Sequence, residues 1–258
     1  MGIYNCAPTL QEALDSLYAQ TYQDFEIVLC DDGSTDNTYE IALKNQKKHP
    51  NIVLLKNTHN MGLNQTLNNC LAIASGQYIA RMDGDDISLP DRFEVLSRFL
   101  DEHADFAIVT SPMYYFDEDG VFMEGKGKGE IYKTDFKTGS PICHAPCMVR
   151  KIAYDKVGGY TVAQNLLRIE DLHLWGKMYA AGYKAYMVEK PYYMMRDDRN
   201  AKSRRKLKNR FRMSRVLRMV QRMIGLPWYY RIYSIRPIIV GLLPSKIYDY
   251  LHRNRFKS

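Results

Sequence analysis

The chain has no CxxC pair, no zinc-type spacing of cysteine and histidine, and no apolar run of the roughly 20 residues that a membrane span needs. Its five cysteines, Cys6, Cys30, Cys70, Cys143 and Cys147, are odd in number and scattered. That favours buried structural thiols in a reducing compartment over a disulfide framework. No charged segment followed by an apolar one opens the chain, so a cleaved secretory signal is not expected, and the expected location is the cytoplasm. A Gly-rich loop bearing Lys or Arg near the N-terminus is also missing, which counts against a nucleotidyl- or pyrophosphate-handling metal enzyme.

What is present suits one α/β domain with an appendage: 258 residues, 46% of them apolar. The net charge of +7 is unevenly divided. Residues 196–258 carry 18 Lys and Arg against Asp197, Asp198 and Asp249, a net +15, which leaves 18 basic against 26 acidic residues, or −8, for residues 1–195. An acidic body suits a cation, and a basic tail suits phosphates of lipid or nucleic acid.

Along the chain, apolar Leu10, Ala13, Leu14, Leu17 and Tyr18 recur at helical spacing, with Pro8 and Thr9 as start signals. Strands are expected at 25–30 and 51–57 around a helix at 36–48, and a further helix at 63–74 precedes an apolar strand at 77–82. This βαβ alternation implies a parallel sheet. Such a sheet normally opens with a strand before its first helix. Here Met1 to Asn5 leaves that strand clipped, with the expectation that a few preceding residues belong to it. A helix at 90–103, a strand at 106–110, a hairpin and mobile loop within 112–140, a short strand at 144–149 and a helix from 169 to 181 complete the body. From Arg196 the composition shifts to an Arg- and Lys-covered helix with an apolar stripe of Leu207, Phe211, Leu217, Val220 and Ile224. The aromatic and apolar segment 228–243 comes next. It reads either as a helix in the interface of an anionic membrane or as an appendage packed on the body. A nucleic-acid partner is the alternative for the tail, which contains Arg204-Arg205-Lys206. No reading helix or RNA-recognition signature accompanies it, and none is expected to bind.

Two acidic stretches stand out. The strand at 77–82 ends in Asp83-Gly84-Asp85-Asp86, three carboxylates within four residues, at a place where open α/β sheets hold ligands. Either this is an ordinary Asp-rich turn, or it is a divalent-cation site holding a diphosphate. Glu170-Asp171 opens a helix, where acidic residues also serve simply as dipole partners.

Tyr4-Asn5, Asp31-Asp32-Gly33-Ser34-Thr35-Asp36, Asn60-Met61-Gly62, Ala80-Arg81-Met82-Asp83-Gly84-Asp85-Asp86, Gly158-Gly159-Tyr160 and Glu170-Asp171, taken together and in this order, resemble family 2 glycosyltransferases of the GT-A fold. The resemblance spans residues 1 to 190 and is greatest to bacterial enzymes that build capsule, exopolysaccharide or lipopolysaccharide. It implies a Rossmann-like, mixed but mostly parallel sheet flanked by helices. The implied layout is a catalytic domain at 1–195, with a nucleotide-binding half to about residue 110 and an acceptor half after it, and a basic helical region at 196–258. The implied reaction is inverting transfer of a sugar from a nucleotide diphosphate sugar, of UDP type, to a saccharide or polyprenyl-linked acceptor at the inner face of the plasma membrane. Mn²⁺ or Mg²⁺ would assist. Asp85 is then the metal carboxylate, and Asp83 reaches the ribose or shares the metal. Tyr4, Asn5, Asp31, Asp32, Asn60 and Gly62 meet the nucleotide, with Asp32 pointing inward. Asp86 caps the segment that begins at Ile87. Asp171 is the general base, and Glu170 orients the acceptor. His144 sits by the acceptor as an accessory contact or as a structural hydrogen-bonding group, and Trp175 stacks on a sugar or belongs to the core. Where many relatives carry an Arg after the Asn-x-Gly turn, this chain has Leu67.

Overall fold

The computed structural model describes residues 1–197 and 207–242. β1 (Gly2–Ile3) leads into α1 (Ala7–Tyr18), with Pro8 in its first turn and Leu10, Ala13, Leu14 and Leu17 buried at helical spacing. β2 (Ile27–Asp31) is buried throughout, as a strand covered on both faces must be. α2 (Thr38–Gln46), β3 (Ile52–Lys56) and α3 (Leu63–Ile73) continue the alternation. The strands β1, β2 and β3 pair in parallel, with Gly2 opposite Cys30 and Ile27 opposite Ile52. The clipped first strand is therefore present as two residues, in register with the end of β2.

The chain then runs through β4 (Tyr78–Ala80), β5 (Ile87–Ser88), α4 (Arg92–Glu102) and β6 (Phe106–Thr110). A hairpin comes after β6 as expected, β7 (Tyr114–Asp117) with β8 (Gly120–Glu124). The rest of the glycine-rich segment is a loop only in part: residues 125–128 and 138–140 are irregular, while β9 (Gly129–Ile131) and a 3₁₀ turn at Lys133–Lys137 form between them. Phe136 is fully buried there, which outweighs the freedom of the flanking glycines. β10 (Met148–Arg150), α5 (Lys151–Val157), α6 (Glu170–Ala180), β11 (Lys184–Met187) and β12 (Tyr193–Arg196) finish the body.

β4, β10, β6, β11 and β9 form a second sheet in that order, and β5, β12, β7 and β8 a third. Parallel pairing is confined to β1–β2–β3, β6–β11 and β7–β12, and the other neighbours run antiparallel. The sheets are thus more mixed than βαβ alternation implies. β10 contributes two of the antiparallel pairs, running against both β4 and β6, and the pairs β9–β11, β5–β12 and β7–β8 supply the rest.

One apolar cluster lies beneath α1 and α4, around Leu14, Leu29, Leu96 and Tyr193. Another lies beneath α6 and includes α7 (Leu207–Met223). The apolar stripe of α7 divides: Leu217, Val220 and Ile224 are buried against the body, whereas Leu207 and Phe211 stay exposed. Beyond it, a 3₁₀ segment (Trp228–Ile235) and α8 (Arg236–Leu242) expose Trp228, Tyr229, Ile232, Ile239 and Leu242. No helix among the described residues is long and apolar enough to cross a membrane. Arg204-Arg205-Lys206 lies outside the described residues.

Candidate active site

The acidic turn after β4 is held from several sides. Arg92, fully buried, donates to the Arg81 carbonyl at 2.6 Å and to the carbonyls of Ala145 and Cys147 at 3.3 Å each, tying the end of β4 to the approach of β10. The Thr9 hydroxyl donates to the Gly84 carbonyl at 2.9 Å. A Cβ at position 84 would stand 2.8 Å from Cys6 Sγ and 3.4 Å from Ile3, so a larger residue there would have to displace the Cys6 side chain.

The three carboxylates of this turn have different surroundings. Asp83 accepts from Arg81 Nη2 at 2.5 Å and is partly exposed. Asp86 is buried, accepting from the Tyr193 hydroxyl at 2.9 Å and the Arg196 amide at 2.8 Å. Rather than capping the segment at Ile87, Asp86 anchors β12. Burial, and then the charges of Asp83 and Asp85, push its carboxyl up to about 7. Asp85 is the most exposed of the three, and Arg196 bonds its backbone carbonyl, at 2.9 Å, rather than its side chain. Desolvation and then the charge of Asp83 raise its pKa. A divalent cation would relieve that repulsion, so the pair Asp83 and Asp85 fits Mn²⁺ or Mg²⁺. No group of three or more His, Cys, Asp or Glu that could hold a metal comes together among the described residues. The remaining ligands would therefore be substrate oxygens and water.

On the side of β1 and β2, Asn5 adopts φ +47 and its Oδ1 accepts from the Thr35 amide at 2.9 Å, while its own amide donates to Ser34 Oγ at 3.1 Å. Tyr4 beside it is exposed. Asp31 accepts from the Ser34 amide through Oδ2 at 3.2 Å, and its Oδ1 is buried with no hydrogen-bond partner. Asp32 is the correction: its carboxylate does not reach into a pocket but accepts from Asn57 Nδ2, the Met61 amide and the Gly62 amide at 2.8, 2.8 and 2.9 Å. It shapes the Asn60 to Gly62 turn, whose Asn60 is exposed and whose Gly62, at φ +85, starts α3.

On the opposite side, Glu170 and Asp171 occupy the first turn of α6. Burial pushes the Asp171 carboxyl up to about 6 against the Leu172 amide, which favours its ionised form, and the neighbouring charge of Glu170 adds to the rise. Asp171 thus acts as a helix-end acceptor and is also tuned toward neutral pH. Glu170 is likewise raised by burial, against the amides around it and the charge of Arg81. His144 Nε2 lies 2.8 Å from the Tyr160 hydroxyl, and burial, with Arg81 adding to it, lowers its pKa to about 3. It is a neutral imidazole at any working pH, so it can meet a diphosphate only as a hydrogen-bond donor. Trp175 is wholly buried, with its ring 5.8 Å from that of His144 and edge-on to it. It therefore supports the site from the core and cannot stack on a sugar. The Gly-Gly-Tyr motif is a clamp: Asn68 Oδ1 accepts from the Tyr160 amide at 2.8 Å, and a Cβ at Gly159 would meet that same oxygen at 2.5 Å.

Sequence reasoning missed Arg81 and Arg196. Arg81 is 5% exposed, and its charge acts on Asp83, Asp85, His144, Tyr160 and Glu170, which ties the two acidic stretches to one region. Arg196 reaches the Asp85 carbonyl and Glu12 from β12. A lone arginine inside an apolar strand was the available signal for Arg81. Nothing local marked Arg196.

The sequence profile of glycosyl transferase family 2 matches residues 1–158. EpsE of Bacillus subtilis, named as a glycosyltransferase, is 35% identical over 260 aligned positions, covering 99% of this chain and 92% of EpsE. WfaP of Escherichia coli, a UDP-Glc:alpha-D-GlcNAc-diphosphoundecaprenol beta-1,3-glucosyltransferase, is 28% identical and covers 97% and 95%. Among solved structures, Staphylococcus aureus TarS 1-349 with UDP-GlcNAc superposes with a TM-score of 0.72 at 19% identity, covering 93% of this chain and 70% of that one. The mannosyltransferase PcManGT of Pyrobaculum calidifontis, with GDP-Man and Mn²⁺, gives 0.65 at 19% identity, covering 93% and 66%.

Proposed function

From the premise that this chain belongs to glycosyl transferase family 2 and is a glycosyltransferase with the GT-A fold, we propose that it carries out metal-assisted, inverting transfer from a UDP-sugar to a lipid-linked saccharide. One observation carries the reading: Asp85 at an open acidic turn and Asp171 desolvated on a helix end are linked through Arg81 and Tyr160, since the charge of Arg81 acts on Asp85 and on Tyr160, and Tyr160 bonds His144 and feels the charge of Asp171. A divalent cation at Asp83 and Asp85 would neutralise charge on a departing diphosphate. The chain's own groups do the rest. Tyr4 and Asp31 Oδ1 meet the base and ribose, with Asn5 fixing the loop that carries them. Asn60 and Gly62 line the same rim. Asp171 takes the acceptor hydroxyl proton, a role for which a carboxyl poised near 6 suits neutral pH, and Glu170 orients that hydroxyl. The neutral His144 donates or accepts a hydrogen bond beside it.

Membrane-linked acceptors are supported by the name of WfaP and by the C-terminal helices, where exposed Trp228, Tyr229 and Ile232 accompany Arg222, Arg231 and Arg236. The catalytic domain in this reading ends with β12, and the C-terminal helices bring it to the inner membrane face. Incubating the full chain with UDP- and GDP-sugars, with and without Mn²⁺, and measuring release of the nucleoside diphosphate tests the reading. Turnover of a UDP-sugar that stops on chelation supports it, and release unaffected by chelation overturns the metal role.

A further inference from the structure

Two residues other than glycine sit in the left-handed backbone region among the described residues, Asn5 at φ +47 and Arg168 at φ +66. Asn5 uses its short polar side chain there, bonding the loop at Ser34 and Thr35. Arginine has no such ease, so the conformation of Arg168 is imposed by what surrounds it. Leu166 and Ile169, both buried, pin the segment at either end, and the Ile169 amide donates to the Leu166 carbonyl at 2.9 Å. The Glu170 carboxylate accepts from its own amide and from those of Arg168 and Ile169. Leu167 and Arg168 are thereby exposed, and Arg168 stands three residues ahead of Asp171, a span of at most about 10 Å.

A second cation arrives from α7. Arg212 Nη1 lies 3.5 Å from the Leu167 carbonyl, so its guanidinium meets the same turn. Among the described residues, no carboxylate forms an ion pair with Arg168 or Arg212. Two guanidinium groups on one turn repel each other unless an anion joins them, and their planar forks match phosphate oxygens. Exposed Leu167 adjoins Arg168 along the chain, and exposed Phe211 adjoins Arg212, so apolar surface flanks both charges.

We propose that Arg168 and Arg212 form a site for the diphosphate that joins the acceptor saccharide to an isoprenoid lipid. The inference rests on the reading of Asp171 as the base toward a lipid-linked acceptor. With Asp171 at the attacked hydroxyl and the two arginines at the diphosphate, a short saccharide bridges them. Leu167 and Phe211 then meet the start of the lipid chain. Glycine at position 168 would relax the backbone but would carry no charge.

The test is calorimetric, on the full chain, with EDTA present so that the acidic turn after β4 cannot take a diphosphate through a cation. Farnesyl diphosphate should bind at least about tenfold more tightly than either farnesol or inorganic diphosphate. Arg168→Gly and Arg212→Gln should each remove most of the preference over farnesol, while Arg168→Gly holds or raises the Tm because the left-handed backbone suits glycine. Equal affinity for farnesyl diphosphate and farnesol in the unaltered chain overturns the proposal, as does a preference that survives both substitutions. Inorganic diphosphate binding as well as farnesyl diphosphate removes the lipid from the site, and loss of binding to phosphatidylglycerol vesicles in step with farnesyl diphosphate makes it a headgroup contact. Either result overturns the proposal. UDP release by the unaltered chain is measured separately, so failure of the transfer reading is distinguished from failure of this site.

Discussion

The two acidic stretches hold the same kind of group under opposite conditions. Asp83-Gly84-Asp85-Asp86 is a turn, and its partners, Arg81, Tyr193 and Arg196, satisfy two carboxylates and leave the middle one to the solvent side. Glu170-Asp171 is a half-buried helix start, where loss of water raises both carboxyls. Asp85 is raised as well, by desolvation and the charge of Asp83, but its side chain is the most exposed of its turn, where a cation can meet it and relieve that repulsion. A covered carboxylate gains the affinity for protons that a base must have. The difference teaches that roles are assigned by surroundings, not by the density of acidic residues.

The comparison breaks hardest at Asp171. Asp171→Asn keeps an acceptor for the Leu172 amide, so folding should be unchanged while kcat falls by about 10³-fold, with nucleotide-sugar affinity held within about twofold in calorimetry. An active variant would remove Asp171 from the base role. Asp85→Asn should weaken Mn²⁺-supported nucleotide binding by at least about tenfold, read by metal titration. An unchanged titration curve would refute the assignment.

Asp86 separates structure from chemistry within one turn. Asp86→Ala leaves the Tyr193 hydroxyl and the Arg196 amide without their acceptor, and should cost about 1–3 kcal/mol in denaturant unfolding. Asp85→Ala should leave unfolding unchanged, because its side chain anchors no other element. A mild pH effect sharpens the contrast further. The base works in its ionised form, and the Asp171 pKa is raised to about 6, so kcat/KM should rise as pH increases up to about 6 and then level off. Asp171→Asn should erase that limb, and survival of the limb in the variant would assign it to another group.

Much of this was legible locally. Strands ending in carboxylates, the helix at Glu170 and the division between acidic body and basic tail needed only composition and period. Asp32 was misassigned because its partners, the amides of Met61 and Gly62, lie 29 and 30 residues on, and only folding brings them to it. Trp175 was ambiguous because a large aromatic on an amphipathic helix serves a core or a binding face equally well. α7 decides it, laying Val220 so close against Gly176 that a Cβ there would stand 2.9 Å away and closing the core over Trp175. Arg196 carried no local mark at all, since its contacts reach back 111 residues to Asp85.

The sequence by itself determined the order of strands and helices, the ends at which charged residues collect, and the need for glycine where the chain must turn. These depend on side-chain period, backbone freedom and charge, which act over a few residues. Only the tertiary structure decided which carboxylate is paired, which is open and which is desolvated. Those outcomes depend on water exclusion and on partners from distant segments, so the same aspartate becomes an anchor, a ligand or a base according to what folds against it.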